Sequence, residues 1–225
     1  MDNFTEENND TERFRIRGQK TSIRFFNHDN EEDIRRLLKI VQDEKVRKWV
    51  EGVENMDIDD VREWAGQKGK NEGDDCLFAI VGSREYVTSD EVGEVQGFVN
   101  TYEMPEELRI RMEKEGFLAP DNLVLEVSYA RNPEAKGRQV ASGLLQVCFQ
   151  VNNMIGNGDE SRPTRQIFSF VDRENLASIK VMEEAGFVLV GEILYEVDNE
   201  DKDLVFKIDW EKAQSILRKG EYGIS

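Results

Sequence analysis

The chain is poor in several residues from which enzyme centres are commonly built: it has one histidine, His28, and two cysteines, Cys76 and Cys148, in 225 residues. A Ser/His/Asp or Cys/His relay therefore lacks its parts, as does a zinc site with Cys and His ligands, and no metal is expected. There is no Cys-x-x-Cys. Both cysteines lie in apolar stretches, Asp-Cys-Leu-Phe-Ala-Ile and Leu-Gln-Val-Cys-Phe, where reduced buried thiols are the reading favoured over a disulfide. No apolar run approaches the roughly 18–20 residues of a membrane helix. The opening Met-Asp-Asn-Phe-Thr-Glu-Glu has neither the basic nor the apolar region of a secretory signal. A cytoplasmic chain with no membrane partner is expected. Basic residues are also scarce, 30 against 47 acidic, for a net charge of −17. That field repels phosphate backbones, which argues against nucleic acid as a partner and suits a cationic one.

Hydrophobic residues make up 38% of the chain, with twelve Phe, so a core is feasible; the length suits one substantial α/β domain with a tail. Residues 1–20 read as a flexible charged tail and 21–225 as the domain. Within the basic stretch RFRIRGQKTSIR the alternation of Phe14 and Ile16 also offers an edge strand. A first strand, Ile23 to Phe26, leads to a helix with Ile34, Leu37, Leu38 and Val41 at helical spacing, then to short helices around Trp49 and Trp64. Leu77 to Val81 and Val95 to Tyr102 read as an antiparallel hairpin. An insertion at 103–122 carries a short helix between Pro105 and Gly116, either a lid or a connection. Leu123 to Ala130 is the strongest strand, followed by a helix from about Gln139 to Asn153 with the stripe Val140, Leu144, Val147, Cys148 and Val151. A strand at 166–171, a helix from Asn175 to Ala185 and strands at 188–197 and 204–208 complete the order.

Two segments carry chemistry. Arg131-Asn-Pro-Glu-Ala-Lys-Gly-Arg-Gln-Val-Ala-Ser-Gly joins a buried strand to an amphipathic helix. Such a turn is either an ordinary bend or a place where backbone N–H groups at a positive helix end meet a pyrophosphate, with Lys136 and Arg138 adding charge. In the next helix Asn175 stands at a cap position, Gly186 at the stop, and Phe187 opens the following strand.

Together the two segments resemble the signature motifs of the GNAT superfamily of N-acetyltransferases: a pyrophosphate loop written Arg/Gln-x-x-Gly-x-Gly/Ala, and an Asn-x-x-(Ala/Ser)-…-Gly-Phe helix. The resemblance covers roughly residues 123–208. Lys136 stands where that family has Arg or Gln, Gln139 where it has Gly, and Ala141 at the last small position. The resemblance implies the GNAT fold, an α/β (α+β) arrangement with a mixed, mostly antiparallel seven-stranded sheet flanked by helices. It also implies acetyl-coenzyme A as cofactor. The backbone of Gly137, Arg138, Gln139, Val140, Ala141, Ser142 and Gly143 would then cradle phosphates, Tyr129, Ala130 and Arg131 would bond the pantetheine arm as an added strand does, and Asn175 and Ser178 would steady it.

The implied reaction is direct attack of a primary amine on the thioester. An amine of pKa near about 10 needs a base at neutral pH, and Glu126 in the central strand is the candidate, unless it is only a salt-bridged or outward-facing strand residue. Many family members place a tyrosine seven residues after the helix asparagine to protonate the leaving thiolate; here that residue is Met182. Either a substitute hydroxyl such as Tyr195, Tyr129 or Ser178 assists, or the thiolate leaves unassisted, or the chain binds acyl-coenzyme A without turnover as a sensor or assembly protein. The expected partners are acetyl-coenzyme A and a cationic amine acceptor, with homodimer formation left open.

Overall fold

The computed structural model describes residues 13–14, 21–49, 55–68, 76–82, 95–118, 124–133, 135, 137–156, 165–195 and 202–219. In chain order the elements are β1 (Arg13–Phe14), β2 (Thr21–Phe25), α1 (Glu31–Gln42), α2 (Glu44–Arg47), α3 (Ile58–Lys68), β3 (Cys76–Gly82), β4 (Val95–Glu103) and α4 (Glu106–Lys114). They continue as β5 (Val124–Arg131), α5 (Gly137–Gly156), β6 (Gln166–Val171), α6 (Leu176–Glu184), β7 (Phe187–Ile193), β8 (Asp203–Ile208) and α7 (Trp210–Lys219).

The strands form one sheet in the order β1-β2-β3-β4-β5-β6-β8-β7, antiparallel at every pairing but β5–β6. This is the mixed, mostly antiparallel seven-stranded sheet that was expected, with Arg13–Phe14 added at the β2 edge as an eighth strand. The rest of the 1–20 segment lies outside the described residues.

Strand alternation sends side chains to two faces. On one face Ile23, Phe78, Val99, Leu125, Val127 and Ile167 meet α5, α6 and α7 in the largest core cluster. The stripe expected on α5 is the face buried there: Val140, Leu144, Val147 and Cys148 are fully buried and Val151 is 4% exposed. At roughly 1.5–3 kcal/mol for each large side chain removed from water, that stripe holds the helix to the sheet. On the other face α1 and α3 cover β3 and the start of β4, while α4 brings Leu108 and Met112 onto Val124, Phe168 and Val205. A buried ion pair fastens the first layer: the Arg24 guanidinium donates to both carboxylate oxygens of Asp33 at 2.6 Å, tying β2 to α1. Asn30 caps α1 by accepting from Glu32 and Asp33 N–H groups.

Two boundaries and one helix differ most from those read in the sequence. The helix after β5 begins at Gly137 rather than Gln139. Strand β7 ends at Ile193 rather than continuing to Val197, because the Leu194 and Tyr195 carbonyls accept from Arg111. An unforeseen helix, α7, follows β8: Asp209 caps it through the Lys212 N–H, and Ala213 and Ile216 enter the core. Gly186, at φ 93°, ends α6 and lets the chain turn beneath Ala213. Cys76 and Cys148 are buried free thiols, as expected; burial pushes the Cys148 thiol well above its usual range.

Gly143 lies where α5 crosses β3, and a methyl group there would sit 2.6–2.8 Å from three Ile80 side-chain carbons. Gly143→Ala is expected to cost about 1–3 kcal/mol by overpacking, read as a melting temperature lowered by several degrees. An unchanged or raised melting temperature contradicts this packing.

Candidate active site

Among the described residues, the only parallel pairing in the sheet covers only part of its two strands. Strands β5 and β6 pair at Val124↔Gln166, Leu125↔Ile167 and Glu126↔Phe168, and no further. Beyond that point β5 runs on to Arg131 while paired to β4, and β6 runs on to Val171 while paired to β8. The facing edges of residues 127–131 and 169–171 therefore diverge into a wedge that opens toward the carboxyl ends of both strands. Helices α5 and α6 begin at that end, as crossover connections require. The wedge offers unpaired backbone along its β5 edge and a positive helix terminus at its mouth.

The first turn of α5, Gly137 to Val140, supplies N–H groups without intrahelical acceptors. Ala141, Ser142 and Gly143, also expected in the phosphate cradle, lie beyond those first four residues and are buried, with Gly143 against Ile80. Their N–H groups belong to the helix ladder, so the donors narrow to the first turn. Lys136 and the Arg138 side chain lie outside the described residues. Arg131 Nη1 donates to Ala135 O at 3.1 Å, bracing the loop that leads into α5. Across the wedge, Asn175 Oδ1 accepts from the Ser178 N–H at 3.1 Å and caps α6. The Ser178 hydroxyl in turn lies 2.9 Å from that of Tyr129, linking α6 to β5. Burial raises the Tyr129 pKa to about 12, so its hydroxyl is a donor at neutral pH. Met182, at the position where a tyrosine was sought, is 1% exposed and belongs to the core.

Glu126 occupies the last paired position before the wedge, facing away from Tyr129, and is 4% exposed. Its Oε1 accepts from two hydroxyls: that of Tyr195, at 2.9 Å, and that of Tyr102, its direct partner across the β4–β5 ladder. Its Oε2 is buried with no hydrogen-bond partner. Burial raises the carboxyl pKa to about 7, with Asp203 adding to the rise while the two tyrosine hydrogen bonds oppose it. Both tyrosine hydroxyls are pushed above their usual range, chiefly by burial and then by the Glu126 charge, so they remain donors. Tyr102 was not foreseen as a site residue. Its only signal was a tyrosine at the end of a strand, and the pairing register is what brings it to Glu126. A shallow recess of about 360 Å³, lined by Asn55, Met56, Asp60, Glu63, Trp64 and Gln67, lies against α3, away from these groups.

The model of the acetyltransferase (GNAT) domain family matches residues 24–188, and the chain belongs to that acetyltransferase family. Among solved structures it is similar to a GNAT-family acetyltransferase from Bacillus anthracis, with TM-score 0.56 and 18% identity over 87% of this chain and 98% of that one. It is also similar to a spermidine N-acetyltransferase from Vibrio cholerae, with TM-score 0.52 and 14% identity over 86% and 96% of the two chains. A third is an aminoglycoside acetyltransferase in complex with coenzyme A and kanamycin, with TM-score 0.51 and 14% identity over 87% and 98%. These likenesses establish the fold. No curated protein sequence matches significantly.

The carboxyl of Glu126 rises from 4.5 to about 7 on folding. Its ionisation therefore opposes folding, a penalty absent below the lower value and complete above the higher one. Glu126→Gln removes that pH dependence while leaving an acceptor for both tyrosines. Between pH 5 and pH 8 the stability of wild type relative to this variant is expected to fall by on the order of 2–3 kcal/mol, measured by denaturant unfolding. A difference that does not change with pH contradicts a buried, titrating carboxyl.

Proposed function

We propose that the protein is an acetyl-coenzyme A-dependent N-acetyltransferase that acetylates a primary amine of a small molecule or peptide, with Glu126 as general base. The observation that carries this reading is the buried Glu126 Oε2, an acceptor without a partner at the head of the wedge.

The chain's groups fit the cofactor. The first turn of α5 offers N–H donors to a diphosphate, and the β5 edge from Val127 to Arg131 offers backbone to an extended amide-bearing arm. When bound, acetyl-coenzyme A supplies an acetyl thioester, an acyl group that an amine nitrogen takes with loss of the thiol. Glu126 accepts the amine proton at Oε2, and its pKa near 7 matches that task at neutral pH. A cationic amine suits a buried carboxylate in a chain of net charge −17. On the opposite face of β5 the linked Tyr129 and Ser178 hydroxyls offer hydrogen bonds to the departing sulfur. Tyr195 is committed to the base instead. The second reading, acyl-coenzyme A binding without turnover, is favoured by the burial of Met182 in the core.

Thiol release from acetyl-coenzyme A with spermidine, kanamycin and a peptide amine as acceptors separates the two. Release with at least one amine is expected, rising with pH through about 7 as Glu126 ionises. Glu126→Gln is expected to lower it by roughly 100-fold or more. Coenzyme A binding without release for any acceptor favours the second reading.

A further inference from the structure

Tyr195 reaches Glu126 from chain that has left the sheet, since β7 ends at Ile193. What holds its backbone is Arg111, on the insertion helix α4, while its ring packs against Phe170 of β6. The Arg111 Nη1 donates to Leu194 O at 2.9 Å and its Nη2 to Tyr195 O at 2.8 Å. A planar guanidinium that donates to two successive carbonyls fixes the orientation of the backbone as well as its position. The Tyr195 hydroxyl then donates to Glu126 Oε1, and Tyr102 donates to the same oxygen from the rigid β4 ladder.

The second oxygen is treated differently. With both donors gathered on Oε1, rotation of the carboxylate would break two hydrogen bonds at once, so Oε2 stays the unpartnered atom. Both tyrosines lie far from Glu126 in sequence, one on each side of it, and converge from opposite sides of the wedge strand.

We propose that Tyr102 and Arg111 are positioning residues that hold Glu126 with Oε2 bare, Tyr102 directly from the sheet and Arg111 by fixing Tyr195. The inference rests on the reading of Glu126 as the base. It makes α4 part of the machinery rather than a spacer in the chain.

The groups that bear on this carboxyl are Tyr102 from β4, Tyr195 after β7 and Asp203 from β8, with Arg111 of α4 behind Tyr195. The two hydroxyl bonds favour the ionised form, whereas burial and Asp203 disfavour it. Loss of either bond therefore moves the titration midpoint upward.

The test is a ¹³C NMR titration of the full-length protein labelled at glutamate side chains, with the Glu126 resonance identified by its absence in Glu126→Gln. In wild type the midpoint is expected near 7, and in Tyr102→Phe and in Arg111→Lys at higher pH. Arg111→Lys keeps the charge and loses the fork, while Tyr102→Phe removes a single oxygen; thermal melts confirm that each variant is folded. In a Tyr195→Phe background, Arg111→Lys is expected to add no further shift. Unmoved midpoints in the folded variants overturn the proposal, as does a further shift in the Tyr195→Phe background, which would mean that Arg111 acts on the carboxyl independently of Tyr195. The base reading fails separately, if Glu126→Gln transfers acetyl groups undiminished.

Discussion

The architecture turns on one place where hydrogen bonding stops. Strands β5 and β6 share a ladder only as far as Glu126 and Phe168, although both continue beyond it. Exposed strand edges carry unpaired N–H and C=O groups that need partners, and a sheet normally closes such a gap. Here each strand is held away from the other by its outer neighbour, β5 by β4 through Arg131 and β6 by β8 through Val171. The crossover helix α5 connects the parted pair and packs against the face that includes Phe78, Val99 and Leu125. The gap is thus maintained by the outer pairings of both strands and by the packing of α5.

Three groups follow from that opening. The α5 terminus lies at the carboxyl end of the strands because a right-handed crossover between parallel neighbours must start there. Tyr129 and Ser178 join across the wedge on the face covered by α5 and α6. Glu126 closes it at the other side, half a pleat away, in a position where burial costs the ionised form enough to bring its pKa to about 7. A residue placed there for stability alone would be apolar. The carboxylate instead has one oxygen satisfied twice and the other not at all, the imbalance on which the proposed role of Glu126 as base rests.

What the sequence revealed and what it withheld divide along sequence distance. The strands β3 to β6, the stripe of α5 and the capped helix α6 are local patterns, visible as apolar runs, helical spacing and an asparagine–glycine bracket. Glu126 stood out as a charge within Leu-Glu-Val, a pattern that violates a buried strand. Tyr102 and Arg111 had no such mark, because the contacts that bring them to the site lie 24 and 83–84 residues away in the chain. Helix α7 was legible in retrospect through Asp209 and the spacing of Ala213 and Ile216, but it follows the last strand, where no motif drew attention. Gly143 fell inside a motif whose implied phosphate contact placed it in the cradle, and only the packing of α5 on Ile80 shows what its missing side chain permits.

Amide hydrogen exchange with and without coenzyme A tests the wedge most directly. The account predicts slowed exchange at Tyr129 to Arg131 and at Gly137 to Val140 together, while the β3–β4 ladder is unchanged. Coenzyme A that binds and leaves those two segments exchanging freely, or protects only residues on the α1 and α3 side of the sheet, would contradict it.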